Sequence, residues 1–294
     1  MSSQIPQALV GVIGGSGLYQ MDALHEVREH TLHTPFGAPS DVVVTGTVHG
    51  VPVAFIARHA RGHRLIPSEV PYRANIHALK QLGVRYVLSF SAVGSLQEEF
   101  KPLDMVLPDQ FIDLTRSRAS TFFGQGAVAH VSMAQPTSAV VRAALVQAVA
   151  QVNTEKNAAI TLHQGATYVC IEGPQFSSLA ESQWYRSMGA GVIGMTNMPE
   201  AKLAREAQMA YATLAMVTDY DCWHPREAQV NASMAIANLM QNAGHAQHIA
   251  AHAIRILGTS QPACESHLAL ATGLVTSLDA MPAAARAALA PLLR

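Results

Sequence analysis

Seven short runs rich in Val, Ile, Ala and Phe alternate with stretches of helical periodicity, and no other feature constrains the fold as strongly. The runs lie at residues 8–15, 41–59, 86–90, 105–114, 167–173, 191–196 and 211–219. They are near-continuously apolar, as strands of a sheet covered on both faces must be. The run over 41–59 holds two strands and reads as a hairpin turning at His49-Gly50, so the expected sheet is mixed. Helices are expected over 68–82, 137–152, 177–188, 198–210 and 229–257, with a terminal one from Pro282. In "NMPE", Asn197 is placed to cap, Pro199 to fill the first turn and Glu200 to complete a capping box. No low-complexity linker or repeat intervenes, so one α/β domain over 1–294 is expected, with 258–294 as its helical tail.

Composition narrows the function. A formal net charge of −1 and 13% charged residues argue against a nucleic-acid or membrane-surface protein, which would carry a basic excess. The expected ligand is small. Low charge with a mean hydropathy of +0.17 leaves little polar cover, which points to surface buried between subunits. Cys170, Cys222 and Cys264 are scattered and form no CxxC pair, so a disulfide framework is not expected. No basic leader and no apolar stretch of about 20 residues is present, and a cytoplasmic location is expected.

Several segments carry chemistry, each with a plainer alternative. "VTDYDCW" (217–223) ends an apolar run with Asp219 and Asp221. In extended backbone they share a face, where one of two neighbouring carboxyls can hold a proton for a substrate; the alternative is a solvated turn after a strand. "GVIGGSGLY" (11–19) is a Gly-rich turn with a hydroxyl, able to approach an anion or to be a simple tight turn. It lacks the GxGxxG and GxxxxGK[ST] patterns. In "ARHARGHRLIP" (57–67), Arg58 offers a fork to a tetrahedral oxyanion and His59 a further donor; His59 and His63 as a zinc pair are disfavoured, with Gly62 and Pro67 interrupting any helix. "SFSAVGSL" (89–96) reads as a strand ending in small residues at a turn that leaves amides open. Phe176, after a Gly-Pro break, suits a planar ligand or a core. His245, His248 and His252 share a helix face, no carboxylate is expected to join them, and a solvent or subunit face is the expected use.

Taken in order, "GVIGGSGLY", "TPFGAPSD" (34–41), "ARHARGH", "VPYRANIHALKQLG" (70–83), "SAVGSL", "DQFIDLT" (109–115), "YVCIEGPQFSSLAES", "GMTNMPEAKLAREA" (194–207) and "TDYDCW" resemble the trimeric purine nucleoside phosphorylase superfamily, and within it the S-methyl-5'-thioadenosine phosphorylases. The resemblance implies a mixed central sheet, partly barrel-like, flanked by helices, and attack of inorganic phosphate on C1' of a ribose as the bond to the base breaks. It implies no metal and no organic cofactor, phosphate being a co-substrate. By motif, Ser16, Arg58, His59, Ser91, Ala92 and Thr196 would hold phosphate; Met195 would border the ribose and Phe176 the purine. Asp219 and Asp221 would share the adenine, one giving a proton to N7 and the other accepting from the 6-amino group. "HVSM" (130–133) matches the segment that reaches a neighbouring subunit, which places His130 near the 5' substituent in trans, in a homotrimer or a dimer of trimers.

Two departures bear on selectivity. Where the family commonly has Thr-Ala-Cys-Gly, this chain has Ser91-Ala92-Val93-Gly94, which keeps the hydroxyl. The position matching the 5'-pocket valine is Ala232, a roomier wall, and Ser177 matches the other position that sets 5' selectivity. The expected reaction is phosphorolysis of S-methyl-5'-thioadenosine. Adenosine, methylthioinosine or 6-oxopurine nucleosides are the alternatives within the fold; a non-catalytic purine-binding module and a Rossmann-type dehydrogenase are the alternatives outside it.

Overall fold

The structure, a computed structural model, describes residues 7–15, 18, 20–226 and 231–294. Among the described residues eleven strands form one mixed sheet. β1 (Val10–Gly14) lies between β4 (Val51–Ala57) and β5 (Tyr86–Ser95), parallel to both. β3 (Val43–Val48) and β4 form the expected hairpin, with His49 and Gly50 at φ +49° and +76°, the left-handed pair that a two-residue turn demands. Outside β3 lies β2 (Leu24–His30), a mostly exposed edge strand with the sequence LHEVREH. Its charges suit an edge and hide it from a search for apolar runs.

Beyond β5 the sheet branches. One branch runs through β10 (Val192–Gly194), β9 (Thr167–Cys170) and β7 (Gln110–Asp113); the other through β11 (Ala210–Asp219), β6 (Met105–Leu107) and β8 (Leu162–Gln164). The run 105–114 is thus two strands, broken at Pro108-Asp109, with different partners. Side chains alternate between two cores, as strand geometry requires. Val10, Val12, Phe55, Leu88 and Leu214 pack under α2 (Ala139–Lys156) and α5 (Ala232–Ser260). Ile13, Ile56 and Val87 face α1 (Tyr72–Gln81) and α4 (Asn197–Glu206). Gly11 permits the close approach of α1, since a Cβ there would sit 3.0 Å from Leu79.

Two helix starts differ from expectation. α1 begins at Tyr72, after a 3-10 turn at Pro67–Glu69. At α4, Asn197 does not cap and Glu200 closes no capping box; both side chains point into the core instead. α3 (Leu179–Ser187) does carry a capping box, from Ser178 and Glu181. The tail extends past α5 through α6 (Ala269–Gly273) to α7 (Ala283–Leu289), and Met281, Leu289 and Leu292 join the core beside α1 and α4. Among the described residues no helix is long and apolar enough to cross a membrane.

Candidate active site

β5 organises the site. It runs on through Ser95 rather than turning at Ser91, so Ser89, Ser91 and Gly94 stand along one rail, the last two about 10 Å apart at strand rise.

At the lower end sits Arg58, directly after β4 and only 3% exposed. Its Nε donates to Glu200 Oε2 at 2.7 Å and Nη2 to Glu200 Oε1 at 3.0 Å; Nη2 also reaches Ser89 Oγ at 2.8 Å and Nη1 the Phe90 carbonyl at 3.0 Å. The fork is therefore turned to Glu200 rather than offered to an oxyanion, and among the described residues one Nη1–H of the guanidinium's five donors has no partner. Burial disfavours the charge, but Glu200 more than offsets it and holds Arg58 protonated. Tyr211 donates to Glu200 at 2.9 Å, and Asn197 Nδ2 reaches Ser89 Oγ at 3.2 Å. This network explains why Asn197 and Glu200 leave the helix start.

His59 is half-buried. Its Nδ1 lies 2.9 Å from the Leu65 carbonyl, which can only accept, so Nδ1 carries the proton and Nε2 presents a lone pair while the ring is neutral. Burial first, then the Arg58 charge, lowers its pKa to about 4. The expectation of a second donor is thus corrected: neutral His59 offers an acceptor. Its ring stacks on His63 with centroids 4.3 Å apart, and among the described residues no group of three or more His, Cys, Asp or Glu is placed to hold a metal ion.

Ser91 and Thr196 meet above Arg58. Their hydroxyl oxygens lie 3.2 Å apart, both residues being buried, and Ala92 is half-buried next to them. Ser16, expected in this corner, lies outside the described residues.

At the upper end, β11 follows β5 in parallel register from Ala210↔Tyr86 to Val217↔Val93, then a bulge at Thr218 sets Asp219 opposite Gly94. Bulges re-aim side chains in this way. The backbone leaves the extended region at Asp221, whose φ is +52°. Strand alternation therefore does not pair the carboxyls as the sequence suggested. A local turn instead ties Asp221 to Asp219 through its backbone: the Asp221 amide donates to Asp219 Oδ1 at 2.8 Å, while Thr218 Oγ1 donates to Asp219 Oδ2 at 2.7 Å. The turn is buried, not solvated, with Asp219 and Asp221 at 4% and 3% exposure. Burial drives both pKa values up, Asp219 to about 6. The Ser182 and Ser177 hydroxyls and the Cys222 amide temper the rise at Asp221. Neither serine bonds it in hydrogen-bond geometry: Asp221 Oδ2, Ser177 Oγ and Ser182 Oγ are all buried without a partner among the described residues.

The remaining positions surround this axis unevenly. Phe176 is exposed at 44%, on a loop joined to the acid turn by the Cys222 thiol, which donates to the Ser177 carbonyl. Met195 is half-buried and its carbonyl already accepts from Arg118 Nη1 at 2.6 Å. Ala232 opens α5 and is exposed; Asn238, on the same helix, donates to the Thr218 carbonyl at 2.6 Å and fastens α5 beside the acid turn. His130 is exposed and its amide bonds the Gly273 carbonyl in the tail. The histidine stripe does meet a carboxylate: His252 Nε2 lies 3.0 Å from Glu155. Sequence reasoning missed Glu200, Arg118 and Glu172.

Comparison with known proteins identifies the family. A family model described as the phosphorylase superfamily matches residues 9–255. The S-methyl-5'-thioadenosine phosphorylase of Thermosynechococcus vestitus is 55% identical over 95% of this chain and 96% of its own; that of Synechocystis sp. is 56% identical over 96% and 86%. The crystal structure of a methylthioadenosine phosphorylase from an Antarctic soil metagenomic library superposes with a TM-score of 0.93 at 59% identity, covering 98% of this chain and 99% of that one. Methylthioadenosine phosphorylase from Schistosoma mansoni in complex with adenine gives 0.80 at 38% identity, covering 86% and 93%. The chain belongs to the phosphorylase superfamily, in its S-methyl-5'-thioadenosine phosphorylase family.

Proposed function

We propose that the chain catalyses phosphorolysis of S-methyl-5'-thioadenosine to adenine and 5-methylthioribose 1-phosphate. The observation that carries this reading is the placement on one strand of a hydroxyl corner at Ser91 and, about 10 Å further, a buried acid pair against Gly94. Phosphate sits between the Ser91 and Thr196 hydroxyls and the Ala92 amide; the family motif adds the hydroxyl of Ser16, which lies outside the described residues. Arg58 supplies charge and one N–H rather than a full fork. Neutral His59 accepts a hydrogen bond at Nε2 from the hydroxyl of monohydrogen phosphate, which turns the anion's bare oxygens toward the sugar. A phosphate oxygen attacks C1' as the bond to N9 breaks, and the electron pair leaves on the adenine. Asp219, whose proton is retained to about pH 6, protonates N7; Asp221 accepts from the 6-amino group. A 6-carbonyl would face these acceptors unpaired, which disfavours inosine and guanosine.

Phe176 covers the purine, Met195 borders the ribose, and Ser177 sets the 5' end. His130, exposed and far along the chain from the rail, acts in a neighbouring subunit's site within a cytoplasmic homotrimer or a dimer of trimers. No cofactor takes part. Ala232, small and exposed, favours adenosine as a second substrate, since each missing methylene contact at the thiomethyl group costs about 1 kcal/mol. The test is incubation with methylthioadenosine, adenosine and inosine, each with and without phosphate. Phosphate-dependent release of adenine from the first, slower from the second, and no hypoxanthine from the third is expected. Thermal stabilisation by the nucleosides without any base release would instead make the chain a binding module.

A further inference from the structure

One guanidinium joins the 195–198 segment, the Glu172 turn and the start of α1 beside the proposed site, with no bond to β5 or to the acid turn. The Arg118 side chain is 1% exposed. Its Nη1 donates to the carbonyls of Met195 and Met198, at 2.6 and 2.7 Å, and so brackets Thr196 and Asn197. Its Nη2 donates to the Glu172 carbonyl at 2.7 Å, at the turn that leads to Phe176 and Ser177. Its Nε approaches Glu172 Oε1 at 3.3 Å. The other carboxylate oxygen of Glu172 accepts the Arg116 and Ser117 amides at 2.5 and 3.0 Å, and Oε1 takes the Ser68 hydroxyl. Ser68 follows the loop whose Leu65 carbonyl orients His59.

We propose that Arg118, with Glu172 as its counter-ion, is a positioning residue that sets the phosphate corner and the purine loop in register with each other. The inference rests on the phosphorolytic reading of the same site. A planar five-donor fork makes these bonds at fixed angles; a lysine ammonium has three donors and no plane. Loss of the fork releases Met195–Met198 from the Glu172 turn, and misplacement of about 1 Å at a reacting centre costs about 100-fold.

The experiment compares Arg118→Lys, Arg118→Ala and Glu172→Gln with the unaltered chain, which must first show phosphate-dependent adenine release; failure there sinks the phosphorolytic reading, not this one. Arg118→Lys is expected to raise the phosphate KM and lower kcat, with kcat/KM down about 100-fold, while circular dichroism shows a folded chain. Guanidinium chloride at millimolar concentration is expected to restore Arg118→Ala at least tenfold, entering by the cavity of about 140 Å³ that Ser68, Tyr72, Ser117 and Arg118 line; sodium chloride should not. Should Arg118→Ala fail to fold, Glu172→Gln carries the test, with phosphate KM raised at least fivefold. Kinetic constants within twofold of the parent in the folded variants, or no guanidinium rescue of folded Arg118→Ala, would overturn the proposal.

Discussion

Replacing Asp219 with Asn should stabilise the protein and cripple it together. Burial raises the Asp219 pKa from its ordinary 3.8 to about 6, so the folded chain retains a proton that the unfolded chain releases. The stability this lends is fully present below pH 3.8 and is lost as pH rises through about 6, because in that window the native state binds more protons. The difference amounts to about 3 kcal/mol at pH 8. Asn fills the same volume, can still accept the Asp221 amide at Oδ1, and leaves Thr218 Oγ1 its second acceptor, the Val93 carbonyl 3.2 Å away. It carries no charge to desolvate. Urea unfolding from pH 4 to 8, at one fixed protomer concentration because subunit association would contribute, should show a variant equal to the parent near pH 4 and more stable by about 1–3 kcal/mol at pH 8. Adenine release should fall by about 100-fold, the worth of a general acid. A variant less stable than the parent at pH 8, or a difference that does not change with pH, would refute the assignment of a buried, proton-holding carboxyl.

Three further outcomes follow from named contacts. Gly94→Ala would put a Cβ 2.9 Å from Asp219 Oδ1 and 3.0 Å from Ile193 Cγ2; adenine release should drop about 10- to 100-fold with the far-ultraviolet circular dichroism unchanged. Glu200→Gln leaves the Arg58 guanidinium buried without an anion and should cost about 3–5 kcal/mol in urea unfolding. His59, held to about 4 by burial and then by Arg58, is neutral in the fold where the unfolded ring is protonated. Its contribution is therefore lost as pH falls from 6.5 toward 4, opposite in sign to Asp219. His59→Gln should remove about 1–2 kcal/mol of that dependence, read as the change in stability between pH 4.5 and 7.

The sheet and helices were legible because burial on both faces writes itself as continuous apolar runs, and the His49-Gly50 turn because only left-handed residues close it. β2 was not, since an edge strand with the sequence LHEVREH has no apolar period. The site was legible as a set of segments but not as geometry. Nothing in "VTDYDCW" reveals a bulge at Thr218 or a left-handed Asp221, and those two features, not strand alternation, set the Asp221 amide on the Asp219 carboxylate. Likewise Arg58 reads as a free anion fork until Glu200, 142 residues away in the chain, is found holding it. Long-range ion pairs leave no local period, so Glu200, Arg118 and Glu172 emerge only from the folded chain.

The most direct test of the account is a crystal structure with adenine and phosphate bound. The account predicts purine N7 within hydrogen-bond reach of Asp219, the 6-amino group at Asp221, and the anion between the Ser91 and Thr196 hydroxyls, about 10 Å along β5. Adenine seated away from the Asp219 turn, or an anion lodged elsewhere than the Ser91–Thr196 corner, would contradict it.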